Sequence, residues 1–427
     1  MCDSAVALGG ETLGGITLFA KNSDRRGDEC QPFVQFPAAR HPANAHVSCT
    51  HLDIPQVAET YRVMGHSPWW VWGFEHGVNE HGVAIGNHSV FSNEVLEEKP
   101  GLIGMDLVRL GLERGRDARE ALEVIATLVE THGQGGAALA PDAAGYHNSF
   151  LLADPDQAWV LETSNRRWAA RRDALRSCSN HYSLGSDWEI GSRDLEPFAR
   201  TRGWWQEPGR LDVAAAYRNP HVPGRISEGR QRRSGEWLQK GRGRHDVASM
   251  QRMLRNHGDD GAVWNGAKLT AEDERYFTLC AHSEPLMWTT ASMVSPLPEQ
   301  RSGPWPVWIS FGTPCTGVFL PVYLDGVIPP SLARASETPD DASAWWVFKQ
   351  LQDAAAADPT RFTPVLREEW ARLEAEIEAE RVEVERSARA AAAARDEDRA
   401  AAIVSAFMDR TVAGALELAR RLRAQLG

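Results

Sequence analysis

The sequence predicts an α+β protein in which antiparallel sheets pack against helices. Short strands occur in neighbouring groups joined by tight turns, and amphipathic helices separate these groups instead of alternating with single strands. No strand is followed by a G-x-G-x-x-G or Walker A motif, which counts against a parallel nucleotide-binding fold.

The first predicted element is a hairpin whose strands, residues 4–8 and 16–20, flank a glycine-rich turn. Residues 104–130 have helical apolar spacing, and Asp117 with Glu120 resembles a capping box inside this region. The remaining predicted segments are strands at 82–87, 149–153, 158–162 and 168–170, helices near 229–240 and 246–256, and strands within 277–325.

The composition changes after Pro329-Pro330, so we predict a catalytic domain over residues 2–335 and a helical region over 336–427. Leu366, Trp370, Leu373 and Ile377 form a narrow heptad-like seam in a segment rich in Ala, Glu and Arg. Two interpretations remain open. These helices either pack on the parent domain or join copies of the chain into a homo-oligomer.

Charge and hydropathy exclude several classes of partner. The net charge of −12 counts against nucleic acid, and no apolar run approaches the about 20 residues of a membrane span. No secretory signal is recognisable, so we expect a cytoplasmic protein. The six cysteines form no C-x-x-C pair, and Cys280 with His282 is interpreted as an ordinary buried pair, so no metal site is expected.

Position 2 carries a cysteine, and methionine aminopeptidases remove Met1 when the following residue is small. The product would carry a thiol and a free α-amino group on one residue, with ordinary pKa values of about 8.5 and about 8. The amine can accept the thiol proton near neutral pH, so Cys2 would supply both the nucleophile and its base.

A polar cluster follows the second strand of the hairpin and includes Lys21 and Asp24. Hairpin pairing would return this cluster beside Cys2. Lys21 would then lower the thiol pKa, and Asp24 would hold the α-amino group.

Seven segments together resemble the secernin-like, C69-type cysteine dipeptidases among the N-terminal-nucleophile hydrolases. They are CDS at 2–4, TLFAKNSDR at 17–25, GVNEHGVAIGN at 77–87, HNSFLLAD at 147–154, SNHYS at 179–183, TTASMV at 289–294 and FGTPC at 311–315.

The resemblance implies a four-layer αββα sandwich with the nucleophile at the start of a strand. It also implies that Lys21 and Asp24 occupy the positions of a basic residue and an aspartate in related amidases. Lys21 stands where those relatives carry arginine, and it lacks the fork that binds a carboxylate through two hydrogen bonds. No metal or organic cofactor is implied.

Relatives also use asparagine side chains near the reacting carbonyl. The resemblance identifies Asn180 with one of them, while Asn87, Asn79 and Ser89 compete for the second position. A distal substrate-binding arginine corresponds to Arg230, Arg232 or Arg233.

We therefore predict a cysteine hydrolase that cleaves dipeptides or short peptides through a thioester on Cys2. The alternatives are an amidase or acylase of the same fold that acts on non-peptide amides, and a catalytically idle interaction protein.

Overall fold

The computed structural model describes residues 1–141, 143–258, 263–266, 273, 277–283, 287–299 and 303–426. Its strands are β1 Cys2–Ala7, β2 Thr17–Arg25, β3 Phe33–Phe36, β4 Ala39–Arg40, β5 His46–Ser48, β6 Asp53–Pro55, β7 Glu59–Thr60, β8 Val63–His66, β9 His76–Asn79, β10 Ala84–Val90, β11 His147–Ala153, β12 Ala158–Ser164, β13 Arg167–Arg172, β14 Leu175–Cys178, β15 Ile190–Gly191, β16 His282–Ser283, β17 Met287–Leu297, β18 Pro306–Phe311 and β19 Leu320–Tyr323. Its α-helices are α1 Gly104–Arg114, α2 Ala118–His132, α3 Leu195–Thr201, α4 Val213–Tyr217, α5 Arg225–Lys240, α6 Val247–Leu254, α7 Pro330–Ala333, α8 Ala344–Ala355, α9 Pro359–Ala393 and α10 Glu397–Leu426.

Two large antiparallel sheets form the centre of the described structure. The first sheet has the strand order β14-β1-β2-β17-β18-β19, with β16 paired to β17. The second has the order β15-β13-β12-β11-β10-β9-β8-β3. Strand β1 contacts β10 and β11, so the two sheets face each other.

Helices cover the outer face of each sheet. Helices α5 and α6 pack on the first sheet, against β14, β1, β2 and β17, while α1 and α2 pack on β9 to β12 of the second. Alternate residues of β10 follow this layering, because Ala84 joins the core between the sheets and Ile85 joins the core beneath α1 and α2. The predicted α+β class and the αββα layering are confirmed.

The helices after residue 335 pack against the end of the first sheet. Helix α8 contacts β18, α10 contacts β19, and α9 and α10 pack on each other. Three members of the predicted seam, Leu366, Trp370 and Ile377, are buried in a core continuous with that between the sheets. The domain boundary at 335 and the formation of a homo-oligomer stay predictions.

The structure divides the predicted helical region 104–130 into α1 and α2 at Gly115. A Cβ atom at this position would lie 2.6 Å from the Ala121 Cα atom, so the close approach of the two helices requires glycine. Asp117 caps α2 by accepting a hydrogen bond from the Glu120 amide at 2.8 Å. None of the described helices has the length and apolar composition that crossing a bilayer requires.

Candidate active site

Cys2 lies at the first position of β1, where the hairpin with β2 sets its surroundings. In the register of this pair Cys2 faces Ser23, so Lys21 and Asp24 lie beside the strand start as the hairpin argument expected. Only 6% of Cys2 is exposed while residue 1 is present. The predicted nucleophile therefore lies in a buried, polar environment.

Glu75, which immediately precedes β9, places its carboxylate beside the thiol. Its Oε2 atom lies 3.9 Å from Cys2 Sγ and 3.5 Å from Lys21 Nζ, and its Oε1 atom lies 3.3 Å from a guanidinium nitrogen of Arg25. Arg25 also pairs with Glu29 at 2.8 Å. Sequence reasoning missed Glu75, because nothing in its local sequence distinguishes it from an acidic residue in a solvated loop.

Arg230 reaches Cys2 from α5. The guanidinium donates to Asp3 Oδ2 at 2.8 Å, to the Cys2 carbonyl oxygen at 3.0 Å and to Asn180 Oδ1 at 3.2 Å. It is 1% exposed, whereas the side chain of Arg232 is 53% exposed and pairs with Glu236. Of the alternatives left open, Arg230 is the one whose guanidinium contacts Cys2.

Asn180, just beyond β14, contacts the backbone of the predicted nucleophile. Its Oδ1 atom accepts from the Cys2 amide nitrogen at 2.6 Å, and its Nδ2 atom donates to the carbonyl oxygen and to the hydroxyl of Ser89, both at 3.0 Å. The neighbours fix this orientation, since the Cys2 amide and Arg230 only donate and the Ser89 carbonyl only accepts. The amide oxygen therefore faces Cys2, although the resemblance implied that the nitrogen would face a substrate carbonyl.

Asp24 contacts residue 1 through its backbone and the rest of the site through its side chain. Its amide donates to the Met1 carbonyl oxygen at 2.8 Å, and its own carbonyl oxygen accepts from the Met1 amine at 2.9 Å. Asp24 Oδ1 accepts from the Thr289 hydroxyl at 2.7 Å. A β-bulge between Thr289 and Ala291 shifts the pairing of β17 with β2 at this point, a feature common beside active sites.

Asn87 contacts Glu75, which in turn contacts the thiol of Cys2. In the amide orientation that satisfies its neighbours, it donates to the Glu75 carbonyl oxygen at 3.0 Å and to Glu75 Oε2 at 3.2 Å. Asn87 therefore positions the carboxylate beside Cys2, and in this structure it does not face open space as an oxyanion donor would.

Asn79, one of the candidates for the second asparagine position and for substrate binding, makes its hydrogen bonds within the fold. Its amide nitrogen donates to the carbonyl oxygens of Leu112 and Gly115, and its amide oxygen accepts from the backbone of His81 and Val83. It lies at the far end of β9, about 13 Å along the strand direction from Glu75. Buried with all four hydrogen bonds made, it closes the turn between β9 and β10.

Burial raises the pKa of the Cys2 thiol, Lys21 opposes this shift, and Glu75 adds to it. Burial also raises the pKa of Asp3 to about 6 despite the opposing charge of Arg230. For Glu75 burial acts in the same direction, but the charges of Lys21 and Arg25 prevail and lower its pKa. The charges around Cys2 thus alternate in sign, and each buried ion has a partner.

Comparison with known proteins shows which family and which solved structures this chain resembles. Residues 9–217 match the sequence profile of peptidase family C69, which confirms the predicted resemblance over this part of the chain. A variant of the conjugated bile acid hydrolase from Clostridium perfringens is similar in structure, with 15% identity, 75% of this chain and 92% of that chain covered, and a TM-score of 0.46. Penicillin V acylase from Agrobacterium tumefaciens gives 13% identity, coverage of 75% and 86%, and a TM-score of 0.44. The N-acylethanolamine-hydrolyzing acid amidase ortholog from Caenorhabditis elegans gives 12% identity, coverage of 69% and 92%, and a TM-score of 0.31.

Proposed function

We propose that this chain, whose residues 9–217 match the profile of peptidase family C69, is a cysteine hydrolase of amide bonds acting on dipeptides or short peptides with a free amino terminus. The observation that carries the proposal is the convergence of Asn180 and Arg230 on the backbone of Cys2, at 2.6 Å and 3.0 Å. A cluster of buried, paired charges that shift each other's pKa values around one cysteine is typical of a functional site.

The active form begins at Cys2, after removal of Met1. The Cys2 nitrogen then becomes a primary amine on the same residue as the thiol, and Asn180 Oδ1 already lies at hydrogen-bond distance from it. Asn180 thus acts as the residue that positions the amine. The amide of Asp24, which donates to the Met1 carbonyl oxygen in the present form, becomes available to substrate.

The position of Met1 indicates how a substrate residue would bind. A methionyl group on the Cys2 nitrogen is the isomer of a methionyl thioester on the Cys2 sulfur, since the two differ by an S-to-N acyl shift within one residue. Met1 therefore approximates the acyl group of the reaction intermediate. By this analogy the scissile carbonyl oxygen accepts from the Asp24 amide, and the substrate α-amine donates to the Asp24 carbonyl oxygen, as the Met1 amine does at 2.9 Å.

This placement favours substrates that carry a free α-amino group. Burial lowers the pKa of the Met1 amine, and the charges of Arg230 and Arg25 act in the same direction, whereas Cys2 and Asp24 oppose this shift. Glu75 also interacts with this amine, so two carboxylates offset part of the cost of burying an ammonium group here. An ammonium group of substrate would meet the same charges and the same carbonyl oxygen. An amide without this group would lose a charged hydrogen bond, which contributes about 1.5–3 kcal/mol.

In the proposed reaction the α-amine of Cys2 accepts the thiol proton, and the thiolate attacks the scissile carbonyl carbon. The Asp24 amide donates to the oxyanion that forms. The α-ammonium then protonates the leaving amine as the C–N bond breaks and the thioester remains on Cys2. Water, deprotonated by the same α-amine, attacks the thioester, releases the carboxylic acid and restores the thiol.

Lys21 supports the thiolate electrostatically. It lowers the pKa of Cys2 in the present form, where burial and Glu75 act in the opposite direction. Loss of Met1 admits water to the thiol and so reduces the amount by which burial raises the thiol pKa. In the shortened chain the charge of Lys21 is therefore opposed less strongly.

The proposal is tested with purified protein whose intact mass shows loss of Met1. We expect hydrolysis of free dipeptides at least about tenfold faster than of their N-acetylated forms, by the hydrogen-bond energy above, and no turnover by Cys2→Ala. Cys49→Ser is the matched control, because Cys49 lies in the core beneath α1 and α2 and should leave activity unchanged.

Two results would contradict different parts of the proposal. Activity of Cys2→Ala, or of wild-type protein that retains Met1, would exclude Cys2 as the amino-terminal nucleophile. Equal rates on acetylated and free substrates would retain the nucleophile but exclude recognition of the α-amine, and would favour the amidase alternative.

A further inference from the structure

Four potential metal ligands, one of them on β16, lie together in a cluster that the proposed reaction does not use. The ligand atoms of His257, Cys280, His282 and Cys315 all lie within 4.8 Å of one another. His282 Nε2 lies 3.1 Å from Cys315 Sγ and 3.5 Å from Cys280 Sγ. Both cysteines are buried and unpaired by disulfides.

We propose that this cluster binds one zinc ion in a closed, four-coordinate Cys2His2 site. Zinc–sulfur bonds of about 2.3 Å and zinc–nitrogen bonds of about 2.0–2.1 Å in a tetrahedron separate neighbouring ligand atoms by about 3.3–3.8 Å. The two separations above are close to this range, so small side-chain adjustments complete the geometry. The donor set of two thiolates and two imidazoles selects zinc over magnesium or calcium.

The turn that carries Cys315 is held in place from several sides. Gly312 has a φ of 68°, a left-handed conformation that favours glycine. The amide of Thr313 donates to Gln352 Oε1 at 3.0 Å, and Arg255 donates to the Pro314 carbonyl oxygen at 2.9 Å. This ligand is therefore preorganised by α8 and by the end of α6.

The two histidines are placed by the other segments of the site. The Cys280 amide donates to the carbonyl oxygen of Asn256 at 3.3 Å. This hydrogen bond links the segment that carries Cys280 and His282 to the residue before His257. The ring of Trp264 stacks on His282 with centroids 4.0 Å apart. Within the described part of the chain, His257 Nε2 is buried without a hydrogen-bond partner.

The proposed zinc ion would be structural, because four protein ligands leave no position for water or substrate. Its place in the fold nevertheless connects it to the active site. The Ala281 amide, between two of the ligands, donates to the Thr289 hydroxyl at 2.9 Å, and that hydroxyl donates to Asp24 at 2.7 Å. The ion would thus fix the segment that supports Asp24.

This site was not predicted from the sequence. Zinc sites are recognised in sequences by closely spaced pairs such as C-x-x-C, whereas here three separate segments each bring one or two ligands. The expectation that Cys280 and His282 form an ordinary buried pair considered only two of the four residues.

The test uses the full chain, purified without chelator and under reducing conditions, and measures metal by elemental analysis. We expect about one zinc per chain in the wild type and in the control Cys49→Ser, and at least a tenfold loss in Cys280→Ser and Cys315→Ser. Cobalt added to the zinc-free wild type should give the visible d–d and thiolate charge-transfer bands of a tetrahedral site.

A second measurement on the wild type does not depend on whether the variants fold. Zinc should protect Cys280 and Cys315 from alkylation, and a chelator should remove this protection, as mass spectrometry of the modified peptides reports. The proposal is overturned if the zinc-free wild type binds neither metal, if zinc leaves both thiols equally reactive, or if native protein contains a Cys280–Cys315 disulfide.

Discussion

Replacement of Asn180 by alanine distinguishes two roles that this residue could have in catalysis. The resemblance to amidases implies that its amide nitrogen donates to the oxyanion. In the structure its amide oxygen instead accepts from the Cys2 nitrogen at 2.6 Å, while the amide nitrogen is engaged by Ser89. The two roles predict different pH dependences for Asn180→Ala.

The magnitude follows from the hydrogen bond between Asn180 and the α-amine of the active form. A hydrogen bond to a charged group contributes about 1.5–3 kcal/mol and one to a neutral group about 0.5–1.5 kcal/mol, so the bond favours the ammonium form by about 1–1.5 kcal/mol. Its loss should lower the pKa of the α-amine by about one unit. Because the amine must be neutral to accept the thiol proton, the acidic limb of the rate profile should move to lower pH by the same amount.

The assay is kcat/KM for a free dipeptide as a function of pH, which reports ionisations of the free enzyme. We expect Asn180→Ala to reduce the maximal rate by about tenfold or more, because the amine is less well positioned, and to shift the acidic limb. Ser89→Ala, which removes one partner of the Asn180 nitrogen, should lower the rate less and leave the limb unchanged. A reduced rate with an unshifted limb in Asn180→Ala would refute the role in positioning the amine and favour the oxyanion role.

Two further predictions concern buried carboxylates. Glu75→Gln should destabilise the fold by about 3–5 kcal/mol in chemical denaturation, because Lys21 is left buried without its counter-ion. The same substitution should lower the pKa of the Cys2 thiol, which is measured as the alkylation rate against pH. An unchanged pH profile of alkylation would show that Glu75 does not act on Cys2. Asp106 is buried, and burial raises its pKa to about 6 from an ordinary value of 3.8, so its folded form binds a proton that the unfolded chain has released. Its contribution to the free energy of unfolding should therefore fall by up to about 3 kcal/mol as the pH rises from below 4 to above 6. The total fall should be smaller by this amount in Asp106→Asn, where other buried carboxyls such as Asp3 still contribute; an identical fall in both proteins would contradict the assignment.

The strands and helices near the chain's first half were accessible to sequence reasoning because their signals are local. The glycine-rich turn and alternating apolar residues predicted the hairpin of β1 and β2, and residues 147–172 form the predicted three-stranded meander. The capping-box-like start at Asp117 agrees with the beginning of α2, whereas the end of α1 at Arg114 was not predicted, because it depends on the close approach of Gly115 to Ala121 in the folded chain.

For the site, the sequence by itself determined Cys2, Lys21 and Asp24 as neighbours, since a hairpin fixes their separation through its register. Glu75 and the orientation of Asn180 were decided only by the tertiary structure. Glu75 reaches Cys2 from the start of β9 in the second sheet, and Asn180 lies two residues beyond β14, which pairs with β1. No short-range pattern in the sequence indicates which of many buried polar residues will meet there. The cluster of His257, Cys280, His282 and Cys315, for which we propose a zinc ion, is likewise brought together from three distant segments by the tertiary structure. Local spacing encodes secondary structure and adjacent strands, whereas the pairing of charges and ligands across the chain depends on how the layers pack.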